Sequence, residues 1–433
     1  MRLIVVLILF VAALAIPVSA QQTTGWLNQE DQAQLEALRR SGLEALYNLD
    51  YDKAQKDFKE IQQRYPNHPA GHQLLAARVW IKNLYESRRL QGSLYSSESF
   101  YTSGDDKVDP KIVNEFRALT REAKRISEAK LKQEPKNIEA LDFLAATEGL
   151  KASFEEAVER RHYAALKDGN DAVNLHREVL KLDPKYVDAQ LTIGLYEYVV
   201  GSLPLPIKLL AGVGGFRGSK KKGLTLLEQV AREGRWSKDD AKTLLVLLYT
   251  REKRFADVIK ITRELSEKYP RNYLYKLETA DALVAFAAQK RKASDPNGAM
   301  LAEKEAFATF DDLLRDRSVR ETSSRALDLI HFKYGEALSV AGLQDRAAKE
   351  FLATTKVDHA EPGLVTMAYL YAGRSFDVAG KREEALTQYK QVLARPNVYD
   401  AHEGAKKGLK EPYKAEQVIR PDAASNLQQA GSN

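Results

Sequence analysis

The chain of 433 residues contains no cysteine, and this excludes several classes of site at once. Disulfide bonds, thiolate metal sites, a cysteine nucleophile and a lipidated N-terminal cysteine are all ruled out. A strong excess of one charge is also missing, since 66 lysines and arginines face 60 aspartates and glutamates. So mild a basic excess does not by itself argue for nucleic acid. Charged residues make up 29% of the chain, a composition typical of a folded, water-soluble protein.

Long hydrophobic runs are absent except at the N-terminus, MRLIVVLILFVAALAIPVSA. The apolar run from Leu3 to Ile16 falls short of the ~20 residues that span a bilayer. Small residues ending at Ala20 fit a signal-peptidase site, so we expect residues 1–20 to be a signal peptide and Gln21 to begin the mature protein. An uncleaved membrane anchor is the alternative. We therefore expect export, to a bacterial periplasm or to the cell exterior.

The alternation of apolar and polar residues that marks strands is also missing. Alanine, leucine, glutamate, lysine and arginine dominate from Gln29 onward, and leucines recur every three to five residues. The first such series is Leu35, Leu38, Leu43 and Leu46. This spacing places apolar side chains on one face of a helix, so we predict an all-α chain.

One pattern recurs in what we interpret as the second helix of successive helix pairs. A small residue or valine is followed four positions later by a larger residue, three later by an apolar residue, and then by proline. The copies are Ala54-Phe58-Ile61-Pro66, Ala172-His176-Val179-Pro184, Val258-Thr262-Leu265-Pro270 and Ala385-Tyr389-Val392-Pro396. The small residue lets two antiparallel helices approach closely, and proline ends the helix before a turn. Small residues also occur in the preceding helices, where Gly42, Gly335 and Gly373 each lie twelve residues before Ala54, Ala347 and Ala385.

These units resemble tetratricopeptide repeats, whose period is ~34 residues with a small–aromatic–proline pattern in the second helix. Clear units cover residues 35–67, 239–271, 328–359 and 366–398, and longer or degenerate units fill the gaps. The resemblance implies a right-handed α-solenoid of about eight helix pairs, stacked because one pair cannot bury its own apolar face. We place the solenoid at residues 21–413 and expect a flexible polar tail at 414–433.

Two insertions, at 91–110 and 201–219, depart from the repeat. The second is rich in glycine, but its spacing fits neither a dinucleotide-binding loop nor a P-loop. A connector lying over the groove between neighbouring pairs explains its prolines and apolar residues better. The stretch 194–227, with GLYEYVVGSLP and GGFRG, also resembles a eukaryotic tetratricopeptide family that includes the inclusion-body-clearance protein. That resemblance implies shared architecture only.

A basic cluster at the start of the following helix is not explained by a connector alone. Arg217, Lys220, Lys221 and Lys222 crowd a helix N-terminus that Ser219 can cap, where each cation is unfavourable by ~0.3–1 kcal/mol. Free backbone amides and lysines together can hold an anion. We therefore hypothesise that these residues bind a carboxylate, a phosphate or an anionic lipid headgroup. A solvated basic turn, or pairing with acidic residues elsewhere in the fold, is the alternative.

Signatures of catalysis and metal binding are missing from the sequence. His68 and His72 are four residues apart, but Pro69 stands where a zinc protease needs glutamate, so a turn or capping role suits them better. No nucleophile elbow is present, and adjacent carboxylates such as Asp239 and Asp240 diverge on a helix. We therefore predict a non-enzyme with no cofactor and no metal. Acidic residues interrupt the basic–aromatic stretches, so we expect no nucleic-acid partner.

The concave face of a solenoid, built from the first helix of each pair, can accept a protein or peptide. We therefore predict a protein-binding scaffold or adaptor. The alternatives are a peripheral protein that meets an anionic membrane surface through residues 204–222, and an enzyme or cell-wall-binding accessory whose site is spread over several helices. The predicted contacts, all expected to be exposed on first helices, are Thr243, Leu247, Thr250, Leu370, Arg374 and Asp377. The loop aromatics Tyr95, Phe100 and Tyr101 are candidates for a lid.

Overall fold

A computed structural model describes residues 26–90, 108–203, 217–317, 319 and 326–415. Within these ranges the chain forms 17 α-helices and no strand. The helices are α1 Gln29–Tyr47, α2 Tyr51–Arg64, α3 Ala70–Glu86, α4 Pro110–Gln133, α5 Ile138–Phe154, α6 His162–Leu182, α7 Gln190–Gly201, α8 Lys220–Glu233, α9 Lys238–Arg251, α10 Phe255–Lys268, α11 Tyr273–Lys292, α12 Pro296–Arg315, α13 Ala326–Val340, α14 Gln344–Thr354, α15 Pro362–Val378, α16 Arg382–Leu393 and α17 Ala401–Lys410. The predicted signal peptide and almost all of the predicted tail lie outside the described residues.

Helices adjacent in the sequence pack against one another, and this makes the chain an α-solenoid. Each odd-numbered helix from α1 to α15 is the first member of a pair and packs on the even-numbered helix that follows it, which packs in turn on the next pair. The described residues form eight such pairs, and α17 then packs on both α15 and α16. The predicted all-α fold of stacked helix pairs is confirmed. No helix in the described ranges has both the length and the apolar composition needed to cross a membrane.

Glycine in the first helix and an aromatic ring in the second set the close approach within several pairs. A Cβ at Gly335 would lie 2.7 Å from Cδ1 of Phe351, and a Cβ at Gly373 would lie 2.7 Å from Cε1 of Tyr389. Gly42 of α1 faces Phe58 of α2 in the same way. A side chain at any of these glycines would displace a fully buried ring, so the pattern read from the sequence is a packing contact.

Two backbones touch where α7 meets α8. A Cβ at Gly223 would lie 2.6 Å from the carbonyl oxygen of Gly194 and 2.6 Å from the amide nitrogen of Tyr198. Such contacts leave no room for any side chain, so glycine at position 223 lets this pair close.

First helices of the later pairs are buried on every side. On α11, residues 277–280 and 282–285 are all buried, and on α15 residues 363–368 are. Four consecutive buried residues exceed one helical turn, so no face of the helix is left to solvent there. At these turns α11 and α15 therefore present no open face to solvent in the part of the chain that the structure describes.

The first two pairs contact the fifth, sixth and seventh pairs through side chains. We call this interface the seam. Its contacts are Glu36 with Arg235, Tyr47 with Asp240 and Tyr269, Asn48 with Arg271, Tyr85 with Tyr273, and Arg88 with Asp328. Repeats four or five positions apart in the chain are thus brought together. The seam adds contacts between distant pairs to the neighbour-by-neighbour packing of the solenoid.

Candidate protein-binding face

The accessible face of α9 carries the first three predicted contact residues. Thr243 is exposed, and Leu247 and Thr250 are half-buried. Intervals of four and three residues place all three on one side of the helix. The Thr250 hydroxyl donates to the carbonyl oxygen of Val246 at 2.8 Å, which leaves its lone pairs available. We call the stripe Asp240, Thr243, Leu247, Thr250 and Arg251 the α9 face.

Tyr275 on the neighbouring first helix extends the α9 face. Its hydroxyl lies 3.3 Å from the Thr243 hydroxyl. The ring of Tyr269 lies 6.4 Å from that of Tyr275 and is stacked on the ring of Tyr47 at 4.8 Å. Three tyrosines, which come from α1 and from the α10–α11 region, therefore border one end of the α9 face.

Asp240 supplies the negative charge of the α9 face. Its side chain is exposed at the surface, and it accepts a hydrogen bond from the Tyr47 hydroxyl. Enclosure by the surrounding protein raises the pKa of Asp240, and Asp239 and Asp188 raise that pKa further. The Tyr47 hydroxyl and Arg39 oppose the shift. A carboxylate that two other carboxylates influence favours a hydrogen-bond donor or a cation.

Arg39 of α1 is a cation that acts on Asp240 at this end of the face. Its guanidinium lies 4.2 Å from the ring centroid of Trp236 and 5.8 Å from that of Phe143. Burial lowers its pKa, although Asp142 and Asp240 oppose the shift. Its buried Nε has no hydrogen-bond partner among the residues that the structure describes. Sequence reasoning missed Asp240, Tyr275 and Arg39 as parts of this site. The position of Asp240, three residues before the predicted contact Thr243, could have indicated it.

The predicted contacts on α15 have a different environment. Leu370 is 2% exposed and faces α17, where a Cβ at Gly404 would lie 3.2 Å from its Cδ2. Asp377 is also buried: it accepts from Arg382 at 2.8 Å, from the Tyr389 hydroxyl at 2.7 Å and from the Tyr413 amide at 2.9 Å. The expectation that Leu370 and Asp377 are exposed is wrong, because α17 and the segment after it cover that side of α15.

Arg374 is the one predicted α15 contact that stays half-exposed. Its guanidinium lies between the rings of Tyr371 and Tyr413, 5.1 and 5.0 Å from their centroids. A cation held between two rings is positioned by the fold. Its contact with a partner stays a prediction. The loop aromatics Tyr95, Phe100 and Tyr101 lie outside the described residues.

Two of the three clustered lysines are paired within the chain. Lys222 Nζ lies 2.7 Å from Glu197, and Lys220 Nζ lies 2.7 Å from Glu252. Ser219 caps α8, and its own amide donates to Glu197 at 3.1 Å. This matches the alternative of pairing with acidic residues elsewhere in the fold. Arg217 and Lys221 are exposed, so the anion-binding hypothesis stays a prediction that rests on these two residues.

The histidine pair has structural roles. His68 is buried, its Nδ1 accepts from the Ala70 amide at 3.2 Å, and its Nε2 lies 3.3 Å from Glu139. His72 Nδ1 lies 3.0 Å from the Gln62 amide nitrogen, and burial lowers its pKa. These contacts agree with the predicted turn or capping role. Across the described ranges no group of three or more histidine and carboxylate side chains could hold a metal ion.

Comparison with known proteins identifies the first helix pair. A family model described as tetratricopeptide repeat matches residues 36–68, which include most of α1 and all of α2. A search of curated protein sequences gives no match. The chain thus contains a tetratricopeptide repeat, and its helix pairs stack as in tetratricopeptide-type solenoids. This architecture indicates protein or peptide partners.

Solved structures give only distant likenesses. A monomeric mutant of IFIT1 with Gppp-AAAA is 14% identical, with 87% of this chain and 85% of that chain covered and a TM-score of 0.43. A tetratricopeptide repeat protein from Parabacteroides merdae is 15% identical, covering 78% and 99%, at 0.30. Yeast Tom70 is 12% identical, covering 93% and 100%, at 0.35. Scores this low carry no argument about function, and the second resemblance, over 194–227, stays a prediction.

Proposed function

We propose that this protein is an exported, non-catalytic scaffold that binds an extended segment of a partner protein along the α9 face. One observation carries the proposal: α9 keeps an accessible stripe at helical spacing, whereas turns 277–280 and 282–285 of α11 and residues 363–368 of α15 are buried on every side. A binding helix must present side chains that a partner can reach. Within the described ranges, α9 meets this condition better than the first helices that follow it.

Charges on the later first helices are already paired, which supports the choice of α9. Lys333 of α13 lies 2.6 Å from Glu336 and 3.3 Å from Asp281, and all three are largely buried. Burial lowers the pKa of Lys333, but the two carboxylates outweigh burial and raise it overall. A partner would have to break this ion triad to use these groups, at a desolvation cost.

The polarity of the α9 face constrains the segment that fits it. Asp240 lies at one end, Arg251 at the other, and Leu247 between them. Complementary charges fix register and suppress wrong partners. We infer a segment with a basic residue near Asp240, an apolar residue near Leu247 and an acidic residue near Arg251.

Capture of partners from the cell envelope tests the proposal quantitatively. Wild-type protein, Leu247→Arg and Thr243→Arg serve as baits, and the captured proteins are compared by mass spectrometry. Thr225→Arg is the matched control, because Thr225 is an exposed threonine on α8 and is not part of this stripe. A protein captured by wild type and Thr225→Arg but lost with both face variants supports the proposal. Equal recovery with all four baits contradicts it.

Export is tested separately by the mass of the protein recovered from its own cells. Cleavage after Ala20 leaves a chain that begins at Gln21 and is recovered outside the cytoplasm. An intact N-terminus in the membrane fraction identifies the uncleaved anchor instead. Either result leaves the α9 proposal open to its own test.

The membrane alternative has less support from the structure. Lys220 and Lys222 are paired with Glu252 and Glu197, so among the described residues of the cluster Arg217 and Lys221 are the cations left for a headgroup. Flotation with anionic vesicles decides this point. Binding that disappears at high salt and in an Arg217→Gln/Lys221→Gln variant would favour a membrane role, because screening weakens surface electrostatics.

A further inference from the structure

The seam joins two parts of the chain that have separate hydrophobic cores. One core includes Leu35, Phe58 and Phe143, from the first pairs and α5. The other extends from Tyr198 of α7 to Ala405 of α17. Leu49 and Tyr85 pack against the second core from the side of the first pairs. Parts with separate cores joined by a smaller interface can move relative to each other at less cost than unfolding.

Most contacts across the seam are polar and made by side chains. Asn272 donates from Nδ2 to the carbonyl oxygen of Tyr47 at 2.7 Å, and the Arg271 amide donates to Asn48 Oδ1 at 3.2 Å. Glu36 and Arg235 form an ion pair of 2.8 Å that is exposed on the arginine side. Exposed ion pairs contribute little because water screens them, so the Glu36–Arg235 pair holds the seam only weakly.

The pair between Arg88 and Asp328 differs from the others. Arg88 donates from Nε to Oδ1 at 2.8 Å and from Nη2 to Oδ2 at 3.0 Å, and both side chains are almost fully buried. Asp328 also accepts from the amides of Leu329 at 2.6 Å and Glu361 at 2.9 Å. The pair is bidentate, buried and fully hydrogen-bonded, so its geometry is specific. Loss of either partner would strongly destabilise the fold, because it would leave the other charge buried and unpaired.

Two residues of the first repeat that correspond to the accessible face of α9 make contacts across the seam. Glu36 and Arg39 lie six and three residues before Gly42, as Asp240 and Thr243 lie before Val246. On α9 these positions belong to the accessible face, whereas on α1 they contact Arg235 and Trp236. The concave side of the first repeat is therefore occupied by the chain itself.

We propose that the first two repeats form a latch that closes over the starts of α9, α11 and α13, with the Arg88–Asp328 pair as its lock. The latch moves together with the core that contains Leu35 and Phe58, which also includes Phe143 of α5. Opening frees the α1 side of the seam together with the α9 end that carries Asp240. The motion does not depend on the proposed binding of protein and is measured without a partner.

Distances between two spin labels test the latch directly. The chain has no cysteine, so Lys56→Cys on α2 and Lys260→Cys on α10 carry the only labels, and both positions are exposed. Double electron–electron resonance should give one distance in this background. Arg88→Met should add a second, longer distance in at least about 10% of molecules. This fraction lies above the 0.1–10% at which minor conformations of proteins are generally populated.

Two further variants keep the test decisive. Arg235→Gln/Arg271→Gln removes only exposed seam charges and should give the same longer distance in a smaller fraction, even if Arg88→Met does not fold. Arg263→Gln is the control, because Arg263 forms a similarly exposed ion pair with Glu305 away from the seam. A single unchanged distance in every seam variant that folds would overturn the latch, as would an equal change in the control.

Discussion

Helices α9 and α15 carry predicted contacts at equivalent positions but differ in what covers them. Thr243 and Leu370 lie three residues before Val246 and Gly373, the residues at the centre of each helix contact. Thr243 is exposed and Leu370 is buried. The reason is α17, which lies on α15 and takes the place that a ninth pair would occupy. Repeat position thus determines the direction of a side chain, while later elements determine whether a partner can reach it.

The largest expected difference between the two helices is at their leucines. Leu370→Ala should lower the free energy of unfolding by about 2–4 kcal/mol, because it opens a cavity between α15 and α17. Leu247→Ala should lower it by less than about 1 kcal/mol, since Leu247 is half-exposed already. Urea denaturation followed by circular dichroism measures both. Equal losses would show that α17 does not cover α15 as described.

A smaller difference is expected between Asp377 and Thr250, which lie four residues after Gly373 and Val246. Asp377→Ala should cost about 2–3 kcal/mol, because Arg382 and the Tyr389 hydroxyl lose a buried acceptor. Thr250→Ala removes a hydroxyl that bonds only within its own helix in the described structure, and should change stability by at most about 0.5 kcal/mol. Tyr389→Phe separates the hydroxyl contribution from the rest. If Asp377→Ala is as mild as Thr250→Ala, the three bonds to Asp377 do not stabilise the fold.

The repeat contacts could be predicted from sequence because they are local. Gly335 and Phe351 are sixteen residues apart, and a fixed helix–turn–helix geometry brings them together whatever lies elsewhere. The cover over Leu370 and the seam at Arg88 could not be predicted in this way. Arg88 and Asp328 are 240 positions apart, and their meeting depends on the summed curvature of several repeats. Small rotations between pairs accumulate along a solenoid, and no local spacing encodes that sum.

Lys221 and Lys222, neighbours on α8, differ in the same way as the two helices: one is paired within the fold and the other is left exposed. Lys222→Gln should lower the free energy of unfolding by about 1 kcal/mol, because it leaves Glu197, whose side chain is 7% exposed, without its cation. Lys221→Gln should stay within about 0.5 kcal/mol of wild type, since Lys221 is exposed. Glu197→Gln in the Lys222→Gln background should recover most of the loss. A loss at Lys221 as large as that at Lys222 would show that the described pairing does not decide which lysine matters.

The smallest expected effect concerns the charge of Asp240. Enclosure and the neighbouring aspartates raise the pKa of Asp240 in the folded state above its usual value. The folded state therefore holds this proton more tightly than the unfolded state, so the stabilisation is full in acid and is lost as pH rises through the raised pKa. Asp240→Asn should abolish that part of the pH dependence, with a slight gain in stability at neutral pH. Asp312→Asn, at an exposed position on α12, is the control that should leave the profile nearly unchanged. If Asp240→Asn instead lowers stability at neutral pH, the bond from Tyr47 outweighs the enclosure, and the charge at this end of the α9 face is satisfied within the fold and not held ready for a partner.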